Sequence, residues 1–502
     1  MKFQSLITHF TLIIIISFPV YSYEETENYS DSIFIINSFT FNINGITRPY
    51  AVINKADLAQ GEEISGFSNL EKYILNKQQL LINERIFESV IIEYTVGQVR
   101  YDGKNEVDLI INIYDTWNIV AIPRPQYSSS TGFDITIKGR DYNFLGTMNP
   151  LKLDIGYSRD IEGRNFFSFL LNSDIPFRLF GLNWNFIFDH DIIYRPDMEL
   201  NWYYKNVTGL SIDIPISFTT PKFGFNVHLI YNEENEDFEK SLYGNFQEGF
   251  YISSRPFITW KIPIVFFPDN YGEIVYTPEI TAVFNHEISP WVLSDNKKGP
   301  YLNFNHSINF GRIDWIENFQ RGFYASLSNS FNYDFYESEE NPHPLKSDVK
   351  FLFTGHFLFN DFFGFSLRFI YLHLFNSINY NAGDVLRGVI DNEIKADFMI
   401  SLNLDLPIRV LRIRPSERLN SGIRVFDIDI HLSPIIDIAL YKNPEKSGLF
   451  NKNNLLFSGG FEFIVFPDFF RSLYLRISAS WNFSDISSRI PMELFIGTDL
   501  HY

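Results

Sequence analysis

Few side chains in this 502-residue sequence are spaced for chemistry, and those that are would pair charges rather than run a reaction. In GDVLRGVIDNE, Gly383 to Glu393, Arg387 and Gly388 sit between two runs that alternate apolar and polar residues. The run FDIDIHLSPIIDIAL places Asp427, Asp429, His431, Ser433 and Asp437 on one face of a strand, with Phe426, Ile428, Ile430, Leu432, Ile436 and Ile438 on the other. An arginine brought against the polar face would find a charge-assisted, bidentate partner. Gly388 would permit tight backbone passage or a positive φ. The sequence contains no His-Glu-x-x-His, Gly-x-Ser-x-Gly or Walker loop. His286-Glu287 lacks the second histidine a zinc site needs, and Asp189-His190-Asp191, ending an alternating run, reads as an interfacial or loop feature. The expectation is a non-enzyme with no metal and no cofactor.

The elements that would hold these residues are strands. Phe323, Ala325, Leu327, Phe331 and Phe335 alternate with Tyr324, Ser326, Ser328, Ser330 and Asp334. Ala396, Phe398, Ile400, Leu402 and Leu404, then Leu473, Leu475, Ile477, Ala479 and Trp481, repeat the pattern. Each run is long enough to cross a bilayer as a tilted strand, which takes about 9–11 residues. Aromatics, including 53 Phe, crowd the ends as membrane girdles would. The mean hydropathy of -0.08 shows the apolar residues dispersed rather than gathered into spanning helices. A soluble sandwich also alternates, but polar connectors such as Asn232 to Lys240 and Tyr336 to Asp348 separate too many long runs for it. Strands in lipid must pair every backbone group, so they must close. The expectation is a mainly β protein: a transmembrane antiparallel β-barrel of about sixteen strands over residues 118–502. In the last run, Leu494, Ile496, Leu500 and Tyr502 share a face; Tyr502 would sit at the interface, and Gly497 would weaken the strand.

Residues 32–117 read as one small α+β domain. Phe39, Phe41 and Ile43 mark a strand, and Gly61 a break. Ser68 and Glu71 have capping-box spacing before Leu70, Tyr73, Ile74 and Leu81 at helical intervals. Val90, Ile92 and Tyr94, then Val107, Leu109, Ile111 and Ile113, form two strands about the turn Asp102-Gly103. Residues 1–22, with Lys2 before an apolar stretch and Val20-Tyr21-Ser22 at its end, read as a signal peptide. The absence of cysteine excludes disulfides and thiolate chemistry, and a net charge of -19 argues against nucleic acid as a partner.

The joint between the two regions resembles that of a polypeptide-transport-associated (POTRA) module with the barrel of the BamA/TamA-like outer-membrane insertase and translocase superfamily (bacterial surface antigen family). DYNFLGT is similar to the family's early-barrel motif at Asp141, Asn143, Phe144, Leu145 and Gly146. INERIFESVIIEY is similar to the module's helix-to-strand region at Phe87 and Val90. Leu386-Arg387-Gly388-Val389 occupies the place of the family's Val-Arg-Gly-aromatic motif, on a sixth extracellular loop that folds into the lumen; Val389 departs from the aromatic. Five strand candidates follow, as the family places them: Ala396–Leu406, Phe426–Leu440, Leu455–Val465, Leu473–Phe483 and Glu493–Tyr502. Only one module precedes the barrel, where the family's central assembly subunit has several. The resemblance implies Asp437 as lumen partner of Arg387, with Asp429 second. It further implies a bacterial outer-membrane location with the N-terminal domain in the periplasm. The partners would be the lipid bilayer, unfolded outer-membrane or exported polypeptide clients, and periplasmic accessory proteins. Clients would add a strand to the module's edges at Phe39–Ile43 or Val90–Tyr94 and then template at the barrel seam. The alternative is a passive channel or lipid-export conduit.

Overall fold

The computed structural model describes residues 32–128, 132–160, 162–216, 219–232, 249–267, 272–287, 298–336, 345–376, 380–381, 385–389, 395–418, 421–442, 454–484 and 492–497. The reading of residues 1–22 and those of Leu500 and Tyr502 lie outside this set.

The N-terminal module runs β1 (Ile33–Asn44), α1 (Pro49–Ala56), β2 (Glu63–Ser65), α2 (Phe67–Asn83), β3 (Phe87–Val99) and β4 (Asn105–Asp115). Its sheet order is β2-β1-β4-β3, with β1 parallel to β4 and β3 antiparallel to β4. Inward residues at period two on the strands meet Leu70, Ile74 and Leu81 at helical period on α2, and these form one buried core. The helix starts differently from the expected capping box: its cap is Gly66, at φ 85, and no side chain caps it. Only Gly tolerates that backbone cheaply. Strand β2 covers β1 only at residues 33–35, so β1 is open beyond it, and β3 forms the opposite edge.

From Ile119 onward the chain is wall. Among the described residues, twenty strand segments form one closed barrel, from Ile119–Ser128 to Met492–Gly497. Phe250–Thr259 and Ile262–Phe267 both pair with Gly272–Glu287. Phe398–Asp405 and Ile408–Ile413 both pair with Ile428–Lys442. Each such pair is one interrupted stave, leaving eighteen staves, two above the expected sixteen or so. Trp202–Asp213 and Lys222–Tyr231 form two full staves in register from Tyr204↔Tyr231 to Asp213↔Lys222, where the runs Ser211–Thr219 and Phe223–Tyr231 read in sequence as halves of one hairpin or a loop excursion. Five staves follow Arg387.

The alternation decides the faces. In Ile428–Lys442, Asp429, His431, Ser433 and Asp437 are buried while Leu432, Ile436 and Ile438 are exposed. Ile137, Ile155, Phe167, Leu327 and Phe461 are exposed in the same way on other staves. The outer surface is therefore apolar and matched to lipid, and the barrel is transmembrane. No described helix is long and apolar enough to cross a membrane. Asp189-His190-Asp191 lies inside the stave Leu182–Tyr194 rather than in a loop, and His190 Nδ1 hydrogen-bonds the Tyr204 hydroxyl at 3.1 Å.

Candidate functional site

Val385 to Val389 are all buried inside the barrel. Val385, Leu386 and Val389 pack with Ile370, Met399 and Tyr441, a small apolar seat beside the buried charges. Val389, where the resembling family has an aromatic, is sealed there at 1% exposure. The seat fixes the loop so that its arginine faces the wall.

Arg387 is 5% exposed and Asp437 1%. Arg387 donates to Asp437 through its backbone N–H (2.8 Å to Oδ2), Nε (3.0 Å to Oδ2) and Nη2 (2.5 Å to Oδ1). This is a bidentate fork reinforced by a main-chain donor, the strongest form such a pair takes. Nη1 reaches Asp405 Oδ1 at 2.7 Å and Glu462 Oε1 at 3.3 Å. Glu462 also accepts from Arg476 Nη1 at 2.8 Å. Two guanidiniums thus face three carboxylates in a poorly hydrated enclosure.

Gly388 donates its N–H to Glu493 Oε2 at 2.6 Å, on the closing strand. It sits at φ 82, and a Cβ there would lie 3.0 Å from Trp481 N. The loop therefore touches all five staves that follow it: Asp405, Asp437, Glu462, the Ser480-Trp481 backbone and Glu493. Gly388→Ala is expected to lower the unfolding temperature of the detergent-solubilised barrel, because the left-handed conformation costs an L-residue about 1–2 kcal/mol and the Trp481 backbone cannot yield. A melting curve that matches the parent would refute the close approach.

The closing strand has a second fastening. The Phe495 ring lies between the guanidiniums of Arg476, 4.3 Å away, and Arg124 on the first strand, 4.7 Å away. Arg124 Nε also donates to Ile496 O at 3.1 Å. Phe495 covers Gly497, where a Cβ would come within 2.4 Å of the ring. Leu494 and Met492 point outward. The seam is thus stitched from the luminal side by cation–π contacts.

Asp429 is not a partner of Arg387, which corrects the expectation. It lies eight residues along the same stave, roughly 27 Å at about 3.4 Å per residue. There it accepts from Asn318 at 2.9 Å and pairs with Arg412 (3.2 Å) and Arg414 (2.9 Å). Sharing a face does not mean sharing a site.

The early-barrel motif serves the joint with the module. Asn143 is fully buried; its amide donates to Thr47 Oγ1 at 2.7 Å and its oxygen accepts from Met148 N at 2.9 Å. Asp141 Oδ1 accepts from Asn143 N at 3.1 Å. Asp115 accepts from Ile46 N, Thr47 N and Thr47 Oγ1 at 2.8, 3.0 and 2.8 Å. Phe144–Gly146 forms a 3-10 turn with Leu145 at φ 55. It brings Gly146 O to 2.9 Å from Arg48 N.

The functional side chains absent from the sequence reading are Asp405 as a partner, Glu462, Arg476, Glu493 and Phe495, with Asp115 at the joint. Glu462 was discoverable: it is the one carboxylate in the apolar run LLFSGGFEFIVFP. A lone charge at such a position faces the lumen or fails to insert.

No family model and no curated protein matches the sequence. Among solved structures, CdiB from Escherichia coli aligns over 93% of this chain and 76% of its own, at 8% identity and a TM-score of 0.51. CdiB from Acinetobacter baumannii aligns over 92% and 73%, at 10% identity and TM-score 0.48. BamA from Haemophilus ducreyi lacking POTRA domains 1-3 aligns over 92% and 83%, at 13% identity and TM-score 0.38. The likeness to the first of these is one of fold.

Proposed function

We propose that this barrel, with its N-terminal module, is an outer-membrane insertase or translocase of the BamA/TamA-like superfamily that handles polypeptide clients without nucleotide or cofactor. The observation that carries the reading is the luminal loop: Arg387-Gly388 binds every stave from Phe398–Asp405 to the closing strand. A passive pore has no need of an element that ties the closing strand to the four staves before it from inside. Releasing the Phe495 stitch would expose strand edges on which a client can template. The module would lie in the periplasm, with its β3 edge and the open part of β1 beyond β2 available to an extended client by strand addition.

A reversible lock tests this. The sequence has no cysteine, so Arg124→Cys with Phe495→Cys introduces a single pair across the seam. Cells depleted of the native protein and carrying the oxidised variant are expected to lose other barrels from the outer membrane, as read by proteomics, and to regain them on reduction. Loss of one exported protein instead would assign a dedicated translocase. Unchanged profiles in the oxidised and reduced states would reject client handling at the seam.

A further inference from the structure

At the end of the barrel that meets the module, the tight turn between Tyr301–Ile316 and Phe319–Asp334 abuts the C-terminal end of α2. Asn83 receives a hydrogen bond from Trp315 N at 2.9 Å and donates to Asp314 at 2.9 Å. Arg85, at φ 57, enters the barrel beyond it. Its Nε donates to Arg471 O at 2.6 Å, Nη1 to Glu317 O at 3.0 Å and Nη2 to Asn318 Oδ1 at 3.0 Å, and its plane lies 4.2 Å from the Trp315 ring. Every acceptor is neutral. Among the described residues no carboxylate comes within ion-pair distance of Arg85, although it is buried. A buried cation held only by carbonyls is incompletely compensated, and burial pushes this guanidinium down to about 10.

Beside it lies a cavity of about 330 Å³, lined by Arg85, Arg412, Arg414 and Arg471 and by only two carboxylates, Glu317 and Asp468. Arg412 and Arg414 are shared with Asp429 below, and adding Asp429 with its neighbour Arg409 leaves the balance unchanged. The cavity thus carries two uncompensated positive charges. The Arg471 guanidinium has no ion-pair partner among the described residues; only its backbone oxygen is engaged. The cavity has room for roughly ten waters, so a group with several oxygens fits together with part of its hydration.

We propose that this cavity binds a phosphate-class dianion, held between Arg85 of the module and Arg412, Arg414 and Arg471 of the barrel. The charge excess matches a doubly charged phosphate rather than a single carboxylate, and planar guanidinium forks suit its oxygens. An anion there would bridge the two parts of the chain, whatever the barrel transports. The source is either a soluble phosphate or the phosphate headgroup of a lipid.

The test is calorimetric titration of the full-length protein in neutral detergent, at low ionic strength and at a pH where phosphate is a dianion. Saturable binding of inorganic phosphate is expected, roughly tenfold or more tighter than acetate. Arg471→Gln should weaken it roughly tenfold or more, while keeping the backbone oxygen that receives Arg85. Arg100→Gln, on the far side of the module, should leave it unchanged. Competition by micelles doped with phosphatidic acid would identify a lipid headgroup; its absence, a soluble phosphate. Lack of saturation, equal binding of acetate, or identical behaviour of the two variants would overturn the site.

Discussion

Arg387→Gln is expected to eject the luminal loop and to destabilise the barrel by on the order of 3–5 kcal/mol, the range for removing one partner of a buried ion pair. The reason is charge. With Arg387 gone, Asp437 (1% exposed), Glu462 (3% exposed) and Asp405 face each other with Arg476 as the remaining cation. Their repulsion is relieved only by letting water in, and the loop must move for water to enter. Asp437→Asn should cost less, because Arg387 keeps Asp405 at 2.7 Å and Glu462 at 3.3 Å. The loop position can be read directly, since the sequence has no cysteine and Val389→Cys gives a single thiol. That thiol should be silent to a water-soluble maleimide in the otherwise unchanged protein and labelled once Arg387→Gln is added. Equal labelling in both would show that Arg387 does not hold the loop. A heat-unfolding midpoint that falls more for Asp437→Asn than for Arg387→Gln would refute the charge argument.

The second large effect is at the joint. Gly146→Val is expected to loosen the module from the barrel on the side of Thr47 and Asn143 while leaving the barrel closed. Gly146 sits at φ 73, which a β-branched residue resists strongly. A Cβ there would lie 2.0 Å from Ile46 O, a backbone atom with no freedom to step aside. The chain must instead give up the Arg48 N–H···O=C Gly146 bond. That bond and the Asn143–Thr47 contact at 2.7 Å join the two parts on this side, while Asn83 and Arg85 hold the other. Limited proteolysis should then cut near Trp117 within the time that leaves the parent intact, with the heat-modifiable gel mobility of the barrel preserved. A cleavage pattern like the parent's would mean the turn can re-form around the side chain.

Much of this was legible beforehand in particular residues. Leu327 and Phe331 point to lipid and Asp437 and His431 to the lumen because a strand alternates sides strictly, whatever it pairs with. The module's core was readable in Val107, Leu109, Ile111 and Ile113 for the same reason, and in Leu70, Ile74 and Leu81 at helical spacing. The start of α2 was not. Ser68 and Glu71 have the spacing of a capping box, yet the turn enters through Gly66, because the backbone arriving from β2 needs a positive φ one residue before Phe67. Stave number was only approximate for a related reason. Interruptions at Trp260-Lys261 and Leu406-Pro407 break the alternation without ending the stave.

Sequence alone determined the class of object: alternation over residues 118–502 fixed an apolar outside and a polar inside, and the runs after Arg387 fixed how many staves follow the loop. These properties are local, repeating every two residues. The resemblance put Asp437 first; only the tertiary structure removed Asp429 from the site and brought in Asp405 and Glu462 from neighbouring staves. It alone decided that Glu493 receives Gly388 across 105 residues and that Arg85 lodges against Glu317 and Arg471. Those contacts depend on the register at which each stave meets the next and on how deep the loop enters. Both are set by closure of the whole barrel, which no stretch of the chain encodes by itself.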